Sequence, residues 1–224
     1  MLCIIQARYS SKRLRGKVLK KIYGLSVLER VYNQVKKSKK ITKIIIATSK
    51  QASDKKIIKF CKIKKISYFA GPLNNVFKRF YLILKSGNYK SFVRISSDSP
   101  FMDPKLIDRG INLFNQNNYD LVTNVFKRTF PKGFSVEVIN TRIFMDTLSK
   151  IKKNEFKEHV TTFFYKNFKN YKIKNFYNRT DKSNINLSID TKNDFDKAKK
   201  IIKFCKNKNY SLNYTLKVYT KIIQ

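Results

Sequence analysis

The sequence has few of the residues that build several common kinds of site. Its 224 residues include three cysteines, one histidine, six glycines and no tryptophan. Cys3, Cys61 and Cys205 stand too far apart to form a CxxC pair, and their odd number does not fit a disulfide framework. We therefore expect the three thiols to be small buried side chains rather than redox or zinc-binding groups.

Long apolar runs are also absent. No run approaches the roughly 20 residues that a helix needs to cross a bilayer, and the apolar start MLCIIQAR is too short for a secretory signal. We therefore expect a cytoplasmic protein without membrane insertion. Hydrophobic residues make up 42% of the chain and include 18 Phe and 13 Tyr, which excludes a disordered polycation. The length predicts a single domain over residues 1–224.

Negative charge is scarce. Fourteen Asp and Glu residues stand against 50 Lys and Arg, which gives a formal net charge of +36. Such a charge is typical of proteins that bind nucleic acids or other polyanions. However, the lysines are spread along every predicted helix, and arginine, which nucleic-acid sites tend to use, is a minority among the cations. We favour a compositional bias without a specific nucleic-acid partner, and a non-catalytic polyanion binder is the alternative from another class.

Apolar strands alternate with amphipathic helices along the chain. The predicted strands cover residues 2–7, 43–49, 67–70, 91–97, 119–124, 134–140, 171–177 and 185–190. The predicted helices cover residues 26–38, 53–64, 75–86, 103–117, 141–152, 156–169, 191–206 and 211–223. This alternation predicts an α/β fold in which a mostly parallel sheet lies between layers of helices. Ligands of such sheets bind at the carboxyl ends of the strands.

The first predicted strand runs directly into a cationic loop, IIQARYSSKRLRGKVL, at residues 4–19. Ser11 and Val18 stand where a Walker A loop needs glycine and a hydroxyl residue, so this loop is not of that kind. Gly16 stands alone, which excludes a dinucleotide-binding GxGxxG loop. The loop must then hold an anion mainly with side chains, or else its cations simply face water.

The cations of this loop are of the types that bind phosphate. Arg8 and Arg13 can each form paired hydrogen bonds to phosphate oxygens, and Lys17 can act as a point charge. Ser10 and Ser11 add hydroxyl donors. The loop is therefore a candidate phosphate site.

Two of the fourteen acids are placed at the ends of predicted strands. Asp98 follows a strand in RISSDSPFMDP, and Asp190 ends one in INLSIDT. Carboxylates on the same sheet edge as a phosphate loop suggest Mg²⁺ ligands, because Mg²⁺ is typically held by one or two carboxylates and substrate phosphates. The competing interpretation is that each acid only caps the helix that follows it.

These segments also carry a family resemblance. The loop IIQARYSSKRLRGKVL closely resembles the N-terminal signature of sugar cytidylyltransferases, which activate sialic acids and 3-deoxy-manno-octulosonate, and in particular the branch named for spore-coat polysaccharide biosynthesis protein F. Four later segments resemble motifs of that branch in the same order: VRISSDSPFMDP (93–104), RTFPKGFSVEVI (128–139), EFKEHVTTFFY (155–165) and LSIDTKNDF (187–195). The resemblance covers most of the chain and implies a nucleotide-diphospho-sugar transferase fold of the glycosyltransferase-A kind.

The resemblance also implies roles for individual residues. Arg8 and Lys17 match catalytic residues that hold the triphosphate, and Asp98 and Asp190 match the acids that bind Mg²⁺. The expected sugar-binding residues are Arg128, Lys132 and His159, although a histidine at a helix start can equally be a packing residue. The full nucleotide-binding set that we expect is Ala7, Arg8, Ser10, Ser11, Arg13, Lys17, Gly71, Arg79 and Ser97.

The chain departs from the pattern of that branch at several positions. Arg15 stands where proline is usual, and Asn74 and Asn75 replace an acidic pair. Lys132 stands where aspartate is common. The family often dimerises, and we expect residues 125–180 to form a subregion for sugar binding or for a homodimer contact.

Together these features predict a Mg²⁺-dependent cytidylyltransferase. It would transfer CMP from CTP to a sugar, with an acidic sugar favoured, and release pyrophosphate for the synthesis of a surface polysaccharide or glycan. A glycosyltransferase or another nucleotidyltransferase of the same fold is the nearest alternative.

Overall fold

The computed structural model describes residues 1–11, 13–205 and 210–223, and within these ranges the chain forms an α/β sandwich around a seven-stranded sheet. The strands are β1 (Leu2–Gln6), β2 (Lys21–Ile22), β3 (Leu25–Ser26), β4 (Lys43–Ser49), β5 (Tyr68–Gly71), β6 (Ser91–Ser96), β7 (Leu121–Thr123), β8 (Glu137–Asn140) and β9 (Ile173–Asn175). The α-helices are α1 (Val27–Lys36), α2 (Lys55–Ile63), α3 (Val76–Lys85), α4 (Pro104–Gln116), α5 (Thr141–Asp146), α6 (Asn154–Glu158), α7 (Thr162–Lys166), α8 (Lys192–Phe204) and α9 (Leu212–Ile223).

The sheet is mostly parallel, as the alternation predicts. Its strand order is β5-β4-β1-β6-β8-β7-β9, and only β8 runs antiparallel to its neighbours. The short strands β2 and β3 form a separate hairpin. Because β1 and β6 are adjacent and parallel, the loop after β1 and the Ser97–Asp98 turn emerge side by side at one edge.

Helices cover both faces of the sheet. Helices α1, α2, α4, α8 and α9 pack on one face and α3, α5, α6 and α7 on the other. Side chains of strand β1 pack into both hydrophobic cores, with Cys3 and Ile5 in one core and Leu2 and Ile4 in the other. A strand buried on both faces must be apolar throughout, which is why LCIIQ shows no alternation. No helix among the described residues is long and apolar enough to span a membrane.

The three cysteines are free and buried, as expected. Burial raises the pKa of the Cys61 thiol to about 12 and that of the Cys205 thiol to about 11. Such thiols stay protonated near neutral pH, which fits a packing role.

The predicted strand at 185–190 is wrong. Its only ladder contact is an isolated bridge between Lys132 and Asn186. The Lys132 amide donates to the Ile185 carbonyl at 2.9 Å, and the Leu187 amide donates to the Lys132 carbonyl at 2.9 Å. The apolar residues Leu187 and Ile189 are buried, so their alternation reflects a loop that lies against the core rather than a strand of the sheet.

The predicted helix at 156–169 is also wrong as one element. Helix α6 ends at Glu158, His159 takes an extended backbone conformation with φ −102° and ψ 92°, and α7 starts at Thr162. Val160 and Thr161 in the break are buried. Two short helices therefore stand where the aromatic stripe predicts one, because the chain turns inward between them.

Gly133 is expected to be essential for stability. Its φ is +99°, and an added Cβ would lie 2.8 Å from the backbone carbon of Leu187. Gly24 has φ +83° but open space around it, so Gly24→Ala is a matched control that shares the strain of positive φ, roughly 1–3 kcal/mol. We expect Gly133→Ala to lower the Tm more than Gly24→Ala in thermal unfolding. Equal shifts would show that the contact with Leu187 is harmless.

Candidate active site

A cleft of about 530 Å³ lies at the carboxyl ends of β1 and β6. Gln6 and Ser96, the last residues of these strands, form part of its lining. Eight of the residues predicted from the sequence also line it: Arg8, Ser11, Arg13, Lys17, Ser97, Asp98, His159 and Asp190. The cleft therefore gathers residues from four separate parts of the chain.

The cationic loop is folded by its own backbone. The Tyr9 carbonyl accepts hydrogen bonds from the Ser11 and Gly16 amides, both at 2.9 Å, and the Tyr9 amide donates to Asp54 Oδ1 at 2.7 Å. Gly16 has φ +68°, and a Cβ there would lie 2.7 Å from the Tyr9 ring, so both the backbone conformation and the ring favour glycine. The chain then makes one 3₁₀ turn at Lys17–Leu19, which directs Lys17 into the cleft.

Asp54 is a supporting residue that the sequence patterns did not identify. It is completely buried and also accepts hydrogen bonds from the Ser49 amide at 3.2 Å and the Ser49 hydroxyl at 2.5 Å. The carboxylate thereby ties the end of β4 to the start of the cationic loop. Its only signal in the sequence is an acid directly before a lysine-rich helix.

Lys17 joins the two predicted metal-binding acids. Its side chain is 10% exposed, and its Nζ lies 3.2 Å from Asp98 Oδ2 and 2.8 Å from Asp190 Oδ1. An Arg13 Nη atom lies 3.1 Å from the same oxygen of Asp190. Cations and acids that are 81 and 173 residues apart in sequence thus form one cluster.

Asp190 reaches this cluster through the loop that replaces the predicted strand. The Ile189 amide donates to the carbonyl of Asp98 at 2.8 Å. Beyond it, Thr191 and Asp194 form a complete capping box at the start of α8. Burial works to raise the pKa of Asp194, but hydrogen bonds from Thr191 and from the Asp190 amide bring it below its ordinary value.

Neither Asp98 nor Asp190 is the cap of a following helix. The cap of α8 is Thr191, and the cap of α4 is Asp103, whose carboxylate accepts from the Lys105 amide at 2.9 Å. The capping interpretation is therefore wrong for both acids. Their carboxylates face Lys17 and the cleft instead.

The donors in the cleft fit a metal ion that binds together with a nucleotide. Within residues 1–11, 13–205 and 210–223, no group of three or more His, Cys, Asp or Glu side chains is arranged to hold a metal. Of the three acids that line the cleft, Asp98 and Asp190 share one cation, Lys17, and form a pair, whereas Glu158 is bound to Arg8. The Asp98–Asp190 pair suits Mg²⁺, which completes its shell with water and substrate phosphates, and does not suit a structural metal held by protein alone.

A buried ionic network lies beside the cleft. Arg94 on β6 and Glu137 on β8 are directly paired in the sheet, and Arg94 Nη1 donates to Glu137 Oε2. The Tyr165 hydroxyl donates to Glu137 Oε1 at 2.5 Å, and Arg94 Nη2 donates to Gln6 Oε1 at 3.3 Å. Gln6 lines the cleft, so this network fixes part of its wall.

The network keeps Glu137 charged. Glu137 is 1% exposed, and burial works to raise its pKa. The charge of Arg94 and hydrogen bonds from Tyr165 and Thr161 outweigh burial and bring the pKa of Glu137 below its ordinary value. Burial and the neighbouring Glu137 carboxylate raise the pKa of Tyr165. The only sequence signal of this network is a charged residue inside each of the apolar strands SFVRIS and EVIN.

Several predicted nucleotide contacts lie outside the cleft. Ala7 is buried and its amide donates to the Ala47 carbonyl at 3.0 Å. Arg79 is 1% exposed and donates to the carbonyls of Pro72 at 2.8 Å and Leu73 at 3.3 Å. Burial lowers the pKa of Arg79 to about 10. Its guanidinium therefore holds the loop after β5, and Ser10 and Gly71 also lie outside the cleft lining.

Only one of the three predicted sugar contacts lines the cleft. His159 lines the cleft, whereas Arg128 and Lys132 do not. Arg128 Nη2 donates to Ser135 Oγ at 3.0 Å, and burial lowers its pKa. Lys132 is exposed on the segment that bridges to Asn186.

Asn75, where the resemblance expects an acid, has a structural role. Its Oδ1 accepts from the Lys78 amide at 2.8 Å and caps α3. An amide can perform this role without a charge. The replacement is therefore compatible with the fold.

Comparison with known proteins shows the family to which the chain belongs. The family model described as "Cytidylyltransferase" matches residues 2–221. The chain belongs to the cytidylyltransferase family. This cytidylyltransferase is therefore a nucleotidyltransferase, as the sequence resemblance implies.

Individual relatives agree with this assignment. The spore coat polysaccharide biosynthesis protein SpsF of Bacillus subtilis is 30% identical over 210 residues, which cover 89% of this chain and 85% of the relative. A solved cytidylyltransferase from Leptospira borgpetersenii is 28% identical with a TM-score of 0.93, over 98% of this chain and 93% of that one. A CMP:2-keto-3-deoxy-manno-octonic acid synthetase complexed with CTP is 13% identical and shares the fold, with a TM-score of 0.68 over 90% of this chain and 98% of that one.

Proposed function

We propose that this cytidylyltransferase transfers CMP from CTP to a sugar hydroxyl and releases pyrophosphate. The observation that carries the proposal is the meeting of Arg13, Lys17, Asp98 and Asp190 in one cleft. A cationic loop and two carboxylates at the carboxyl edge of a mostly parallel sheet are what a metal–triphosphate complex requires.

The cations would act mainly on the leaving group. Nucleotidyl transfer resembles other phosphoryl transfers, in which positioning and charge neutralisation supply most of the rate. Arg8, Arg13 and Lys17 would bind the triphosphate and neutralise the charge that grows on pyrophosphate. Asp98 and Asp190 would hold Mg²⁺, which when bound neutralises phosphate charge and polarises the phosphorus under attack.

The acceptor is proposed to be a sugar, with an acidic sugar favoured, in the synthesis of a surface polysaccharide or glycan. The similarity to SpsF of Bacillus subtilis supports this choice, and His159, which the resemblance assigns to the sugar, lines the cleft. Neither Arg128 nor Lys132 lines the cleft. Their assignment as sugar contacts stays a prediction. A cytoplasmic location and a homodimer through residues 125–180 also stay predictions.

Asp98→Asn is expected to abolish the metal dependence of CTP binding. The change removes one charge and keeps the shape of the side chain. Mutation of a residue that only supports a metal ligand typically lowers the metal affinity about 10–100-fold. Loss of a ligand itself should have at least this effect, so we expect the affinity for CTP in Mg²⁺ to fall roughly tenfold or more. Calorimetry with CTP, UTP, ATP and GTP, each with and without Mg²⁺, measures this directly.

The matched control is Asp196→Asn, which removes an acid paired with Lys192 on the exposed surface of α8. It should bind CTP like the wild type. Equal, salt-sensitive binding of all four triphosphates, unchanged in Asp98→Asn, would instead identify a general polyanion binder. A glycosyltransferase would release no pyrophosphate from CTP when a panel of sugars is supplied.

A further inference from the structure

A fourth ion pair lies at the cleft, besides Arg13–Asp190 and the two pairs made by Lys17. Arg8 Nη1 lies 3.0 Å from Glu158 Oε1, and the two residues are 150 positions apart in sequence. Their side chains are 52% and 50% exposed. The pair links the cationic loop after β1 to the end of α6, and both residues line the cleft.

This pair completes a pattern in the cationic loop. Lys17 and Arg13 are paired with Asp98 and Asp190, the acids that the proposed function assigns to Mg²⁺. Arg8 is paired with the third acid of the cleft, Glu158, to which the proposed function gives no role. A protein carboxylate therefore lies against each cation that the proposed function assigns to phosphate.

The position of Glu158 is set by the buried network. Helix α6 ends at Glu158, and the following Val160 and Thr161 are buried. Thr161 lies beside Glu137 and helps to lower the pKa of that carboxylate, and Glu137 is in turn held by Arg94. The break in the predicted helix thus anchors the residue next to the cleft, and Glu158 is not a freely placed surface acid.

A carboxylate and a phosphate compete for the same guanidinium. A carboxylate is planar and a phosphate is tetrahedral, but each presents two anionic oxygens that can accept paired N–H bonds from arginine. A triphosphate that binds Arg8 must either displace Glu158 or lie beside its negative charge. Either arrangement costs binding free energy.

We propose that Glu158 is a positioning residue that holds Arg8 at the cleft and yields it to the outer phosphates of the nucleotide. This inference rests on the proposed function, because it takes Arg8 to be a triphosphate contact. If so, Glu158 weakens the binding of nucleotides whose outer phosphates contact Arg8 and leaves the binding of shorter nucleotides unchanged. CTP should be affected and CMP should not.

Glu158→Gln is the test, because glutamine keeps the length of the side chain and an acceptor oxygen for Arg8 but removes the charge. Exposed ion pairs are worth about 0.2–1 kcal/mol, so we expect the Kd for CTP in Mg²⁺ to fall about two- to fivefold. The Kd for CMP should not change. Calorimetry of both nucleotides measures the contrast, which a merely structural role for Glu158 would not produce.

Glu155→Gln is the matched control. Glu155 lies three residues earlier on α6 and pairs with Lys166 at 2.7 Å rather than with a residue of the cleft. The Glu155→Gln variant therefore measures the general effect of removing one negative charge from the same helix. The proposal requires a gain for CTP in Glu158→Gln that exceeds the gain in Glu155→Gln.

Three results would overturn the proposal. These are a CTP affinity no higher than that of Glu155→Gln, an equal gain for CTP and CMP, or a weaker binding of CTP. A wild-type protein that binds CTP selectively would leave the proposed function standing in each of these cases. A wild-type protein that binds CTP and CMP equally would remove the proposed function and this inference together.

Discussion

Lys17→Met is expected to lower kcat by roughly 10²- to 10³-fold, the range seen when one preorganised charge-stabilising donor is removed from an active site. Lys17 is buried among the cleft acids, and its ammonium is the cation placed deepest in the cleft. Methionine keeps most of the length of the side chain and removes the charge. The measurement is pyrophosphate release from CTP with the acceptor sugar.

The fold should survive this change. Asp98 and Asp190 have side chains that are 23% and 26% exposed, so water can solvate them when the lysine charge is lost. Lys20→Met is the control, since Lys20 is exposed outside the cleft lining and its loss changes the net charge equally. A well-folded Lys17→Met with the turnover of Lys20→Met would contradict the assignment of the cleft.

The sheet and half of the site were predictable because they depend on local patterns. Apolar strands that lead into helices specify parallel pairing, and the ends of parallel strands lie at one edge. The position of Asp98 beside the cationic loop follows from that geometry alone, since β1 and β6 are neighbours. The family resemblance independently identified the same two features, the cationic loop and Asp98.

Asp190 was named from the sequence, but the way it and the rest of the site are held in place was not predictable because it depends on contacts between distant loops. Asp190 lies on a loop fixed by the Asp98 carbonyl, and its alternating apolar residues mimic a strand. Glu158 lies in what reads as one helix, but Val160 and Thr161 in the break after it are buried, and Thr161 lies beside the Glu137 carboxylate of another element. Periodicity describes burial on one element and contains no information about such partners.

Arg79 was predicted to bind the nucleotide but has a structural role. Its position in the sequence matches a binding loop, yet its guanidinium is used to hold the carbonyls of Pro72 and Leu73. An arginine in a strongly cationic chain can be structural or functional, and only its partners distinguish the two. The same argument separates Asn75, which caps a helix, from the acid that the resemblance expects there.

Glu137→Gln is expected to be the most destabilising single change near the site. Removing one partner of a buried ion pair typically costs about 3–5 kcal/mol, because the other charge is left buried without compensation. Here Arg94 would keep its charge against a neutral amide. For a chain of this length such a loss lowers the Tm by roughly 6–20 °C, which thermal unfolding followed by circular dichroism measures.

The double variant Arg94→Met/Glu137→Leu separates the ion pair from simple packing. Replacing both partners of a buried pair by apolar side chains is often neutral, so the double variant should recover most of the stability that Glu137→Gln loses. If it were as unstable as the single variant, the hydrogen bonds of Tyr165 and Gln6 to the pair would be the main source of stability.

The effect of Glu137 must also depend on pH with a defined sign. Its pKa is lowered in the folded protein, so its contribution is fully present above the unfolded pKa of about 4.3 and is lost as the pH falls through the lower folded value. The difference in unfolding free energy between wild type and Glu137→Gln should therefore be constant near neutral pH and shrink below about pH 4. A difference that grows with acidity would mean that Glu137 is protonated in the folded protein, and Arg94 would then be the unpaired charge beside the cleft.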